Sequence, residues 1–314
     1  MGKARAGCRA RYRVVIAGAA AVVIFYVCAL WVVAGALIRP SPSLVEPLPR
    51  DLSVTPVHLT NQRGGDVFGW YARATTAKGV IVLLHGLRGD RRSMVARMDF
   101  LVDAGYDALA IDFQAHGQTQ GRDITFGFLE AHDVTAAVRF ARAQRRRDGA
   151  TLPVFAIGVS LGGAAALLAE PVIEVDGLIL EGVYTTIEAA LRNRLALRLG
   201  PARYLVAAPL QTILEHRLRL SATALRPIER ATRFAGPVLV MGGDRDRRTT
   251  VRETNALFDA FAKEAAGLSE LWVVPGAAHV DLHTHATADY EQRVLRFLDR
   301  VISTIGRGDE STRK

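Results

Sequence analysis

The sequence predicts an α/β domain on a mostly parallel, doubly wound sheet, carrying a helical insertion and preceded by one apolar membrane helix. Three observations lead there. Continuous apolar runs such as Gly79–Leu84 (GVIVLL) have the character of strands buried on both faces of a sheet. Those runs alternate with helical stretches, the pattern of βαβ units. And Val14–Ile38 is a stretch of 25 residues without one charged side chain.

That stretch comes first in the chain. As a helix it would reach about 37 Å, more than the ~30 Å hydrocarbon core of a bilayer. Lys3, Arg5, Arg9, Arg11 and Arg13 precede it, whereas Arg39 and Arg50 follow. The positive-inside rule therefore expects residues 1–13 as a cytoplasmic basic flank, 14–38 as a signal anchor, and the rest outside the inner membrane. Ala34-Gly35-Ala36 resembles a cleavage site, but the apolar run is too long for the core of a cleaved signal peptide.

The 314 residues are 50% hydrophobic and 23% charged, which excludes a disordered chain and a collagen-like repeat. Removing the five cations of the flank from the net charge of +9 leaves +4, and with no recognition motif present nucleic-acid binding is not expected. Cys8 and Cys28 lie in the flank and the span, so the outer domain carries no thiol nucleophile and no cysteine-based metal site.

Residues 39–53 contain Pro40, Pro42, Pro47 and Pro49 and read as a semi-extended tether. The domain is expected over 54–305, followed by a polar tail at 306–314. Its strands are read at Val54–Thr60, Val67–Ala72, Gly79–Leu84, Tyr106–Ile111, Val154–Gly158, Gly177–Leu180, Val238–Met241 and Leu271–Val274. Helices are read at Ser93–Ala104, Leu129–Arg146, Leu161–Ala169, Val251–Lys263 and Ala286–Thr304. Residues 184–234 form a helical cap with nine arginines against three glutamates. Inserted between two core strands, it belongs over the carboxyl edge of the sheet, where open α/β folds bind ligands. A solvated lid and a cap resting on anionic headgroups both fit its composition.

Gly158-Val159-Ser160-Leu161-Gly162 is a G-x-S-x-G pentapeptide between a strand-like run and a small-residue helix, the context in which a serine is exposed on a sharp turn. A serine nucleophile needs a base, and the base an orienting carboxylate. His279 follows the last apolar run, and Asp246 or Asp244 follows the run before it. Backbone amides of Leu87, after the His85-Gly86 step, and of Leu161 would form an oxyanion hole. The run His279, Asp281, His283, His285 is read as a polar helix entry rather than a metal site, and no cofactor is expected. His116 and His132 are read as loop and helix-surface residues, and Glu181 as a structural hydrogen-bond acceptor.

These motifs resemble the α/β-hydrolase-fold serine hydrolases, close to the serine aminopeptidase-like (S33) and BEM46-like group. The resemblance rests on LLHG (83–86), DFQAHGQT (112–119), GVSLGG (158–163), LEG (180–182), PVLVMGGDRD (237–246) and PGAAHVDL (275–282). It implies a Ser160–His279–Asp246 triad, the G-x-x-D spacing from Gly243 favouring Asp246. Gln114-Ala115-His116-Gly117 and Thr250 depart from the family pattern in loops outside the triad. The implied activity is hydrolysis of a small or lipid-like acyl ester or thioester. Aminopeptidase-like amide hydrolysis and a non-catalytic binding role are the alternatives. Oligomeric state is not legible.

Overall fold

The computed structural model describes residues 2–45, 52–147, 150–261, 267–279 and 282–312. Within these residues an eight-stranded sheet forms the centre, with strands β1 (Val54–Thr60), β2 (Asp66–Ala72), β3 (Gly79–Leu84), β4 (Tyr106–Ile111), β5 (Val154–Val159), β6 (Gly177–Glu181), β7 (Val238–Gly243) and β8 (Glu270–Val274). Their spatial order is β8-β7-β6-β5-β3-β4-β2-β1. From β4 to β8 all neighbours are parallel, and only β2 runs against the rest, pairing antiparallel with β4 on one side and β1 on the other. The expected α/β-hydrolase architecture is therefore present, with strand ends displaced by one or two residues.

Alternate side chains of β3 explain why its run is continuously apolar. Val80, Val82 and Leu84 enter the core on one face, beneath α3 (Glu130–Gln144) and α4 (Leu161–Leu168). Ile81 and Leu83 enter the other, beneath α2 (Val95–Asp103) and the last helix (Thr287–Thr312), where Met98, Leu101, Val294 and Phe297 are buried. The last helix continues through Thr312, so residues 306–312 are helical where a polar tail was expected.

The cap leaves the sheet after β6. It consists of α5 (Ile187–Leu199), α6 (Arg203–Leu218) and α7 (Pro227–Ala231), and the chain re-enters at β7. Thr186 caps α5 by accepting from the Ala189 N–H at 3.2 Å. Arg226 ties the base of the hairpin to Glu188 at 2.8 Å.

The N-terminal helix α1 (Gly2–Ile38) does not hang from a free tether. Ser41–Pro42 pairs in parallel with His116–Gly117, and Ser43 Oγ donates to Asp90 at 2.8 Å. Pro40 and Pro42 have no N–H, but Ser41 and Ser43 between and after them donate to Ala115 and Gly117. The tether is thus an edge segment over its first part. Its remainder, 46–51 with Pro47 and Pro49, lies outside the described residues.

Buried polar groups are concentrated at the carboxyl edge. Glu181, at the end of β6, accepts from Arg97 Nε (2.9 Å), Arg97 Nη2 (2.5 Å) and Tyr290 Oη (2.5 Å), linking α2 and the last helix beneath the sheet edge. His116, in the connection after β4, is fully buried: its backbone pairs with Ser41 and its ring packs 5.1 Å from that of His85. His85 accepts the Phe113 N–H at Nε2 (3.1 Å) and holds Gly86 O at Nδ1 (2.8 Å), which requires the neutral Nδ1–H tautomer. Burial pushes its pKa down from 6.5 to about 3 and lowers that of His116 as well. Burial acts oppositely on Asp133, pushed up to about 7 although Asn61 and the Gln114 amide donate to it.

Two outcomes follow from these groups. Glu181→Gln leaves the Arg97 guanidinium buried without a counter-charge and is expected to cost about 3–5 kcal/mol in denaturant unfolding. Tyr290→Phe, losing the hydroxyl that donates to Glu181 and accepts from Arg97 Nε, should cost about 1–3 kcal/mol. The unfolded chain protonates His85 near pH 6.5, while the folded chain keeps it neutral to about pH 3. The stability His85 contributes is therefore full above pH 6.5 and declines as the pH falls toward 3. Asp133 has the opposite slope, costing stability as the pH rises from about 4 to 7. The stability gap between the unmodified protein and His85→Gln should accordingly narrow between pH 7 and pH 4.5, measured by paired thermal melts.

Candidate active site

The serine turn is built by close backbone approach. Between β5 and α4, Ser160 adopts φ +49°, ψ −106°, a conformation that L-residues avoid unless the surroundings impose it. A Cβ on Gly158 would lie 2.5 Å from the backbone of Gly163, and one on Gly162 would lie 2.3 Å from Leu84 O. Only glycines let the turn close onto α4 and the end of β3. The Ser160 N–H donates to Glu181 O at 2.8 Å, so the clamped end of β6 also holds the turn.

The other two candidate residues converge on it from separate loops. His279 Nε2 lies 3.2 Å from Ser160 Oγ, and His279 Nδ1 lies 2.6 Å from Asp246 Oδ2. A carboxylate accepts, so Nδ1 carries the proton and the Nε2 lone pair faces the serine hydroxyl. Asp246 Oδ1 in turn accepts the amides of Arg248 (2.7 Å) and Thr249 (2.9 Å). Asp244 is engaged elsewhere, accepting the Gly276 N–H at 2.7 Å and so shaping the turn before His279.

Leu161 opens α4, and a first helical N–H has no acceptor within its helix. Leu87 follows β3 in a turn closed by the Gly89 N–H to Gly86 O bond at 3.0 Å. Both residues border the cavity into which Ser160 faces. His85, neutral and with both ring nitrogens occupied, shapes this turn and is not available as a second base.

The cavity measures about 520 Å³ with its open mouth included. Its wall is apolar, formed by Phe126, Leu191 and Leu214 together with Leu37 from α1. Arg194 is its charged member among the described residues, with its Nη1 donating to Ala190 O at 3.2 Å and its pKa lowered by desolvation. Of the histidine run, His283 bonds Glu291 at 3.0 Å and His285 bonds Pro275 O at 2.9 Å, while Asp281 lies outside the described residues. Among the described residues there is no group of three or more His, Cys, Asp or Glu placed to hold a metal.

Sequence reasoning missed Leu37, which no pattern within an apolar run distinguishes from its neighbours. It also missed Arg97 and Tyr290, 84 and 109 positions from Glu181. The signal available was Glu181 itself, since a carboxylate ending a buried strand requires a partner.

Residues 75–225 match the family described as serine aminopeptidase, S33, and residues 215–304 match the prolyl oligopeptidase family. An uncharacterized protein of Bacillus subtilis, YqkD, is 24% identical over 242 residues, covering 76% of this chain and 77% of the relative. Among solved structures, the esterase Pf2001 of Pyrococcus furiosus superposes with a TM-score of 0.69 at 21% identity, over 84% of this chain and 98% of that one. A thermostable carboxyl esterase from Bacillus coagulans gives 0.59 at 16% identity, over 80% and 99%. A serine hydrolase without a lid from Xanthomonas campestris gives 0.54 at 16%, over 81% and 97%. With this fold and these family matches, the chain is a hydrolase of the α/β-hydrolase fold.

Proposed function

We propose that the protein is a membrane-anchored serine esterase that works through an acyl-enzyme. The observation carrying this reading is the relay from Asp246 through His279 to Ser160, at 2.6 and 3.2 Å, opening onto an apolar cavity. Ser160 Oγ attacks the ester carbonyl carbon as His279 Nε2 takes its proton. The amides of Leu87 and Leu161 hold the oxyanion. Collapse breaks the carbon–oxygen bond, and the alcohol leaves with the proton from His279. Water then attacks the acyl-serine, again yielding its proton to His279, which returns it to Ser160 as the carboxylic acid departs. Asp246 keeps the imidazole in the required tautomer and stabilises its cation.

Esters are favoured over peptide amines because, among the described residues, no carboxylate lines the cavity to bind a substrate's free amino group. The esterase names of two structural neighbours point the same way. For the anchor, Tyr12–Ile38 is long and apolar enough to cross a bilayer, and most of its side chains face away from the protein. With Lys3, Arg5, Arg9 and Arg11 before it and Arg13 in its first turn, the basic end stays in the cytoplasm and the catalytic domain lies outside the cell membrane.

A fluorophosphonate probe should label the purified protein and leave Ser160→Ala unlabelled; an unlabelled folded wild type that also fails on short p-nitrophenyl esters would overturn the enzyme reading. Asp246→Asn should lower kcat by about 10³- to 10⁴-fold. Asp244→Asn should leave kcat near the unmodified value, because its carboxylate serves the Gly276 turn and not the imidazole.

A further inference from the structure

The helix expected to cross the membrane and the cap over the cavity are packed together. Leu30, Ala34 and Ile38, spaced four apart on one face of α1, are buried against the domain. Arg217 of α6 donates to Trp31 O at 2.9 Å and lies over the Trp31 ring at 5.0 Å. Gly35 leaves room for it, since a Cβ there would meet the guanidinium at 2.9 Å. Nearer the N-terminus on the same face, Tyr26 Oη donates to Leu205 O at 2.6 Å. The turn of the α5–α6 hairpin is therefore fixed at the level of Tyr26, well inside the apolar stretch.

The depth follows from the helix rise. If the hydrocarbon begins at Val14, just past Arg13, its ~30 Å uses about 20 residues and ends near Val33. Trp31 then stands at the outer interface, where tryptophan is favoured. Tyr26 lies about seven residues, or ~10 Å, below that edge. At this level the hairpin presents Leu197, Leu199, Tyr204 and Leu205, with Tyr204 at 67% and Leu205 at 74% exposure. Exposed side chains of this size, with the exposed Arg198 between Leu197 and Leu199, stand on the hairpin beside the exposed face of α1. Arg203 at the turn lies over the Tyr204 ring at 4.2 Å and donates to its hydroxyl at 2.6 Å, a long cation on an apolar stem that can reach headgroups.

Resting on the reading of α1 as a membrane span, we propose that the α5–α6 hairpin is inserted in the outer leaflet and admits a bilayer-resident acyl amphiphile directly to Ser160. The same three helices form the route. Leu37 of α1, Leu191 of α5 and Leu214 of α6 line the cavity, while the far ends of α5 and α6 meet the bilayer. An acyl chain passing between α1 and the cap stays in apolar surroundings and presents its carbonyl at the serine. The depth matches the 5–10 Å at which interfacial segments settle.

The test uses the full chain in phosphatidylcholine/phosphatidylglycerol nanodiscs, with Cys8 and Cys28 replaced by serine and a nitroxide attached through Leu205→Cys. A label attached through Glu174→Cys, on the opposite side of the domain, serves as the water reference. Oxygen should broaden the Leu205 signal more than a water-soluble nickel chelate does, at about 5–10 Å depth. Equal chelate access at 205 and 174 would overturn the proposal. In parallel, Tyr204→Glu and Leu205→Glu should hydrolyse soluble p-nitrophenyl butyrate as the unmodified protein does, yet lose about tenfold or more on a 4-methylumbelliferyl oleate held in the disc. Undiminished hydrolysis of the disc-held ester would overturn delivery through the hairpin. Absence of turnover on both esters, with the 205 label still in the leaflet, would overturn the esterase reading and leave insertion standing.

Discussion

The turn at Ser160 holds a non-glycine residue at φ +49°, ψ −106°, a conformation costing about 1–3 kcal/mol, and the rest of the carboxyl edge is arranged to keep it there. β5 ends at Gly158–Val159, α4 starts at once, and the two glycines allow backbone contact in place of side-chain packing. From the far side, β6 binds the Ser160 amide through Glu181 O. The side chain of Glu181 is then clamped by Arg97 and Tyr290, so two helices on the opposite face of the sheet indirectly hold the serine. The strain persists because parallel strands, glycines and a buried ion pair over-determine it.

The electrostatics of the edge follow from desolvation. His85 is held neutral by burial and by the Phe113 amide donating into its ring, so it serves as scaffold despite its place beside the serine. His279 differs because its Nδ1 meets the Asp246 carboxylate, which orients the ring with Nε2 toward Ser160 Oγ. Two histidines near one serine are thereby assigned different tasks by their partners alone.

Much of this was legible in the chain. Alternating apolar runs placed all eight strands to within one or two residues, because strands buried on both faces admit no polar side chain. The G-x-S-x-G pentapeptide located the serine turn because only glycine tolerates approaches near 2.5 Å. Less legible were the features that depend on what lies across a gap. The burial of His116 left no mark in the chain because it comes from Ser41 and His85, neither of which its own neighbourhood announces. The prolines of 39–53 pointed to a free tether, yet the N–H groups of Ser41 and Ser43 were enough to bind its start to the domain.

By itself, the sequence determined the layer order, the position of the serine, the presence of a long apolar helix and the existence of a cap, since each depends on local periodicity, backbone sterics or hydropathy. Tertiary structure alone decided that Arg97 and Tyr290 close around Glu181, that Asp244 turns away to the Gly276 amide, and that α1 lies along α6 with Leu37 in the cavity wall. Those outcomes turn on distances between segments far apart in the chain, and a linear pattern carries no record of which partners the folded backbone brings within hydrogen-bonding reach.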